Sequence, residues 1–140
     1  MVSRCRPIFV ARAASRGLTL TCDIAPGLRV DTDPVLIRSI LTNLLENAIE
    51  YAPQGGAVRI TAANDNDQCV VSVSNPAGDL RADDVPKLFD RFWRRSASRS
   101  DGEHSGLGLS IAREFATAIG GDLTASLVDE QVIFRLTLPA

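Results

Sequence analysis

Hydrophobic and polar positions change period along this chain, and each change marks an element. Residues 6–16 carry Ile8, Phe9, Ala11, Ala13 and Ala14 without Gly or Pro after Pro7, which predicts a helix stopped at Gly17. Residues 18–24 alternate at period two and predict a half-buried strand, turned by Pro26-Gly27. Leu28-Arg29-Val30 reads as a short extended return, after which Asp31 or Thr32 can cap a helix with Pro34 in its first turn. That helix runs to about Pro53. Residues 57–63 and 68–74 alternate again around Asn64-Asp65-Asn66-Asp67 and predict an antiparallel hairpin. Asn75-Pro76-Ala77-Gly78-Asp79 breaks its second strand sharply.

Residues 83–93 predict a short helix or pair of turns, with Val85, Leu88, Phe89 and Phe92 on one side. Residues 94–104 are polar and Ser-rich, a loop composition. A last helix opens at Ser105-Gly106-Leu107-Gly108-Leu109-Ser110, with Leu109, Ala112, Phe115, Ala116 and Ile119 as its apolar face, and ends at Gly120-Gly121. Residues 122–128 and 131–138 form a second hairpin across Asp129-Glu130. Helix, strand, helix, hairpin, loop, helix, hairpin predicts an α/β fold of two layers.

The second long helix is the unusual one. At roughly 100° per residue, Asn43, Glu46, Asn47 and Glu50 share one narrow arc, and apolar residues fill most of the remaining circumference. Two amides one turn apart on such a helix need partners. Two readings stand: satisfied core asparagines, or a hard cation whose charge is balanced by a ligand, as Mg²⁺ is by nucleotide phosphates.

Composition narrows the classes without naming one. The 140 residues fit a single domain, 1–140, that is 45% hydrophobic and 23% charged. A net charge of −2, with no basic run interleaved with aromatics, gives no reason to expect nucleic acid. No apolar run reaches membrane-spanning length and no signal-peptide core follows Met1, so no membrane contact by this domain is expected. Cys5, Cys22 and Cys69 share no metal-ligand spacing and read as reduced thiols in a cytosolic setting. The chain starts inside what reads as a helix, as a piece of a longer protein would.

Three further stretches offer chemistry. Gly106 to Leu109 is a Gly-rich turn entering a helix; it can cradle phosphate with backbone N–H groups or serve close packing, and no Gly-Lys-Ser/Thr follows to make it a P-loop. Asn75 at the strand break either reads the edge of a base or simply forms an Asn-Pro turn. In Leu88-Phe89-Asp90-Arg91-Phe92-Trp93-Arg94-Arg95 the aromatics would anchor the segment to the core, leaving Arg91, Arg94 and Arg95 either free for phosphate oxygens or as a solvated face.

In this order and spacing the pieces resemble one family. Asn43-Leu44-Leu45-Glu46-Asn47-Ala48 looks like the N box of the ATP-binding catalytic (HATPase_c) domain of two-component sensor histidine kinases. Asn75 to Leu80 sits where the G1 box belongs, Leu88-Phe89-Asp90-Arg91-Phe92 resembles the F box, and Gly106-Leu107-Gly108-Leu109 the G2 box. The resemblance spans about residues 18–139. It implies a Bergerat (GHKL) fold: a mixed five-stranded sheet packed on about three helices. It implies ATP and Mg²⁺ as ligands. Asn47 would coordinate the metal, with Asn43 supporting phosphate or metal contacts and Tyr51 lying along the nucleotide. Asn75 would meet the adenine amino group, with Gly78 and Leu80 in the same box. Arg91, Arg94 and Gly106 to Leu109 would face phosphates, and 94–105 would be a lid.

The implied reaction is transfer of the ATP γ-phosphoryl group to a histidine on a separate dimerisation domain, with a response regulator downstream. The parent would sit in the bacterial inner membrane with this domain in the cytoplasm. The chain departs from the family in two places. The adenine-reading Asp is Asn75, with Gly78 as the remaining G1 glycine, and Glu50 stands where many members carry Lys or Arg. Such departures leave a second reading open, a degenerate nucleotide-sensing or interaction module with weakened ATP binding. A gyrase-type ATPase would need Glu where Asn43 stands. His104, the only histidine, falls in the lid and not on a helix before an acidic residue, so this stretch alone is not expected to phosphorylate itself.

Overall fold

The computed structural model describes residues 7–28, 30, 32–93 and 107–139. Five strands make one sheet in the order β1-β2-β3-β5-β4: β1 Thr19–Ile24, β2 Ala57–Asp65, β3 Gln68–Pro76, β4 Asp122–Val128 and β5 Gln131–Pro139. β1 runs parallel to β2, with Leu20 beside Val58, and the other pairings are antiparallel. Parallel neighbours need a crossover, here the helix α2, Pro34–Tyr51. With α1, Pro7–Ser15, and α3, Gly108–Ala118, this is the expected sandwich of a mixed five-stranded sheet on three helices. α2 packs against α1, α3 and β3, while α3 also packs on β4.

The core lies between the layers. The inward row of β3, Cys69, Val71, Val73 and Asn75, stands opposite Leu138, Leu136, Phe134 and Val132 of β5. Ile40, Leu44, Ala48 and Ile49 of α2, with Leu109, Ala112 and Ala116 of α3, cover it from the helix side. Burial pushes the Cys69 thiol above its ordinary pKa, because the thiolate would lose its hydration there. Gly17, at φ +70°, ends α1 as expected, and the Leu18 N–H returns to Ala13 O at 2.9 Å.

Several sequence expectations are corrected. Asp33 caps α2, accepting from the N–H groups of Val35 at 2.9 Å and Leu36 at 3.2 Å. Pro34 occupies the first helical position, so the cap must be the residue just before it, not Thr32. Leu28 and Val30 form no strand. Cys22 is disulfide-bonded rather than a free thiol, while Cys69 is free. Residues 82–93 form a 3-10 helix, Ala82–Lys87, followed by turns, within the range of the expectation. Phe92 is not on the buried side with Leu88 and Phe89: it is 68% exposed, at φ +66°.

The hairpin strands are longer than predicted, and β3 does not break at Asn75. Asn75 pairs with Val132 and Pro76 with Gln131. The Ala77 N–H donates to Glu130 O at 2.8 Å, so by alternation the N–H missing from Pro76 would point toward β2. There the β2–β3 register has already ended at Arg59–Ser74, and Gly56 makes room for the ring: a Cβ on it would stand 3.1 Å from Pro76 Cγ. Proline is tolerated where no ladder bond is lost.

Candidate functional site

The polar arc of α2 divides into two edges. The centre of the pair 46/50 lies about 60° round the helix from the centre of the pair 43/47. On one edge Glu46 meets Arg12 at 3.4 Å, and Glu50 meets Arg16 at 3.9 Å, with the Arg16 guanidinium also donating to Glu50 O at 3.2 Å. Both arginines belong to α1 or its C-terminal turn. The carboxylates are therefore drawn toward α1, and Glu50 is buried against that side. Arg12 and Arg16 share the four-residue spacing of Glu46 and Glu50, a complementarity that sequence reasoning missed although the signal was there.

The amide edge faces the opposite neighbour. A Cβ on Gly108 would stand 3.3 Å from Asn43 Oδ1, which places the first residue of α3 against this edge. At its other end, a Cβ on Gly78 would stand 3.5 Å from Pro53 Cγ and 3.8 Å from Tyr51 O, so the turn after β3 abuts the end of α2. Asn43, Asn47 and Tyr51 form a strip about 12 Å long on a 1.5 Å rise per residue. One end meets the start of α3 and the other meets the turn that follows Asn75.

Two side-chain oxygens stand out. Asn47 Oδ1 and Asn75 Oδ1 are shut off from solvent and have no hydrogen-bond partner; among the described residues only Thr32 Oγ1, near the far end of α2, shares that state. Leaving a buried acceptor unmade costs about 1–3 kcal/mol. Asn75 is fully buried, and its Nδ2 donates to Pro76 O at 2.8 Å. Its inward position was legible: the period-two row Cys69, Val71, Val73 continues to Asn75. Leu80 and Ala77 are buried beside it in sequence, joined by a bond from Leu80 N–H to Ala77 O at 3.1 Å.

α3 starts without a side-chain cap: Leu107 precedes it, and Ser110 Oγ donates to Leu107 O at 2.9 Å. An uncapped first turn presents backbone N–H groups and the positive end of the helix dipole, a setting for anions. Leu109 is buried and serves the core. Arg91, expected to be free, is paired: its guanidinium donates to Glu114 Oε1 at 2.9 Å. That anchor lies about 9 Å along α3 from Gly108. Phe89 meets Phe134 edge-on at 6.1 Å and carries the Arg113 guanidinium 4.6 Å above its ring, so this aromatic does hold the segment to the core. Arg94, Gly106, His104 and the expected lid lie outside the described residues.

Among the described residues no group of three or more His, Cys, Asp or Glu side chains could hold a metal ion, and no helix is long and apolar enough to cross a membrane.

Residues 32–140 match the family model of histidine kinase-, DNA gyrase B- and HSP90-like ATPases. Sensor histidine kinase CusS of Escherichia coli (strain K12) is 35% identical over 133 residues, covering 94% of this chain and 28% of CusS. The nucleotide-free catalytic domain of histidine kinase ThkA superposes with a TM-score of 0.81 at 25% identity, covering 94% of this chain and 85% of that one. ThkA in complex with the response regulator protein TrrA gives 0.77 at 25% identity, covering 94% of this chain and 37% of that one. The chain spans about a quarter of the length of the curated relatives it matches.

Proposed function

The chain belongs to the HATPase_c family, the histidine kinase-, DNA gyrase B- and HSP90-like ATPases, and from that premise we propose that it binds ATP with Mg²⁺ and presents the γ-phosphoryl group to a histidine on a separate dimerisation domain of its parent protein. The observation that carries this reading is the pair of buried, unpartnered amide oxygens on Asn47 and Asn75. A buried acceptor with nothing to accept from is a position awaiting a donor or a cation.

The residues fit both ligands. Asn47 Oδ1 is a neutral hard oxygen, the kind of atom that completes a Mg²⁺ shell made mostly of water and phosphate. When bound, the ion supplies charge neutralisation on the phosphates. Asn43 lies one turn nearer α3, against Gly108, and the start of α3, which has no side-chain cap, would offer backbone N–H groups to phosphate oxygens. At the other end Gly78 abuts the Tyr51 carbonyl, in the turn that carries Leu80 and follows Asn75, which would take the adenine amino group. Glu50 is held toward Arg16, so its carboxylate need not oppose the phosphates. Arg91 would have to leave Glu114 to reach them; Gly106 and Leu107 would extend the phosphate side.

The same premise supports the wider setting. CusS is a sensor histidine kinase, and ThkA binds a response regulator. By that likeness the parent is a protein-histidine kinase of a two-component system, with this domain on the cytoplasmic side of the bacterial inner membrane.

Calorimetric titration of the chain with ATP in Mg²⁺, alongside thermal melting, tests the binding step. At about 100 times Kd the ligand adds about 2.7 kcal/mol to the native state, so melting should rise by several degrees. No heat and no shift at millimolar nucleotide would overturn the reading and favour an interaction module that has lost ATP.

A further inference from the structure

An asparagine amide is two-sided, and that makes Asn75 a problem for base recognition. A carboxylate at this position can only accept, whereas an amide can accept from a 6-amino purine or, turned over, donate to a 6-oxo purine. Asn75 should therefore discriminate poorly unless something fixes which way it faces.

Pro76 O supplies that constraint. Asn75 Nδ2 donates to it at 2.8 Å. Turned over, the amide would set Oδ1 at hydrogen-bond distance from the same carbonyl oxygen with no hydrogen between them. Asn75 is fully buried and Pro76 half-buried, so that opposition sits in a setting of low dielectric where it is costly. The carbonyl itself is held in place because Pro76 continues β3, paired with Gln131, with its ring against Gly56. One orientation survives, and it leaves Oδ1 as an acceptor with no partner.

We propose that the Pro76 carbonyl locks the Asn75 amide so that it presents only an acceptor, selecting a 6-amino purine against a 6-oxo purine, and that this site requires an amide rather than the carboxylate usual at its position. The selection rests on the nucleotide-binding reading above; the lock does not. A carboxylate in place of the amide would oppose Pro76 O in its charged form. It would hold its proton to higher pH than a solvated carboxyl, because only the protonated form can donate to that carbonyl. The folded-state pKa of the introduced group then exceeds its unfolded value. Between those two values the native state binds more protons, so stability falls as pH rises and the deficit is largest above the folded pKa.

Two measurements on the chain test this. The first compares the melting of Asn75→Asp with the parent sequence from about pH 5 to about pH 8, without nucleotide. The expected result is a loss of about 5 °C at the upper end that shrinks as the pH falls; equal melting at every pH overturns the lock. Should the variant not fold at the upper end, recovery of its circular-dichroism spectrum on acidification is the same result, and failure to recover overturns it. The second titrates the parent chain with ATP and with inosine triphosphate, both in Mg²⁺. The expected preference for ATP is about 10- to 100-fold. Equal affinities overturn the selection while leaving nucleotide binding intact. Binding of neither triphosphate overturns the nucleotide reading and the selection with it, while the pH-dependent melting would still report the lock.

Discussion

The two edges of α2 carry polar side chains at the same four-residue spacing, yet they end in opposite states. On the α1 edge Glu46 and Glu50 each find an arginine. On the α3 edge Asn43 lies against Gly108, and Asn47 keeps a buried oxygen with no partner. A helix built only for stability would have no use for the second edge, where a buried acceptor is left unmade at a cost of about 1–3 kcal/mol. The contrast separates polar groups that fold the domain from polar groups held ready for something else. Phe92, largely exposed at φ +66°, also sits in a left-handed conformation that costs about 1–3 kcal/mol, as does Glu130 at φ +63° in the turn between β4 and β5.

Substitutions should move the two edges apart in different assays. Asn47→Ala is expected to weaken Mg²⁺-dependent nucleotide binding by about 100-fold or more, while nucleotide-free melting stays within a few degrees because an unmet acceptor is removed. Calorimetry with and without Mg²⁺ checks the first half; unchanged affinity removes the metal assignment. Glu50→Ala should do the reverse: urea unfolding should show a loss of about 1–2 kcal/mol, and affinity should hold within about twofold. A large drop in affinity with normal stability would mean that this carboxylate serves the ligand.

Smaller changes sharpen the same contrast. Gly108→Ala would place a methyl group 3.3 Å from Asn43 Oδ1, and a displacement of that amide should lower nucleotide affinity by about 5- to 10-fold, read by the same titration. A variant that binds as well as the parent would release Asn43 from the site. Glu46→Gln removes half of a half-buried pair and should cost about 0.5 kcal/mol, visible in chemical denaturation and shrinking with added salt. An effect that ignores salt would show that packing, rather than charge, holds that contact.

Much of the fold was legible before any coordinates. Period-two runs gave the five strands, and the apolar faces of α2 and α3 gave the covering layer, because local burial patterns follow from helix and strand geometry. Asn43, Asn47 and the Gly108 turn were visible as a motif. The fate of Glu50, Arg91 and Phe92 was not, since each depends on a neighbour distant in the chain or on one backbone torsion. Pro76 misled for a related reason. A proline reads as a break, and only the end of the β2–β3 register explains why the strand passes through it.

By itself the sequence determined the order and type of the elements, the inward rows of the strands and the apolar faces of α2 and α3, and which side-chain chemistry is on offer, because those follow from repeat periods and covalent structure. The ends of the strands, the cap of α2 and the outward turn of Phe92 did not follow from it. Tertiary structure alone decided which polar groups are satisfied. Arg16 takes Glu50, Glu114 takes Arg91, Pro76 O takes one side of the Asn75 amide, and the oxygens of Asn47 and Asn75 are left over. Hydrogen bonds and ion pairs need partners within about 3–4 Å, and only the packed chain determines who arrives at that distance.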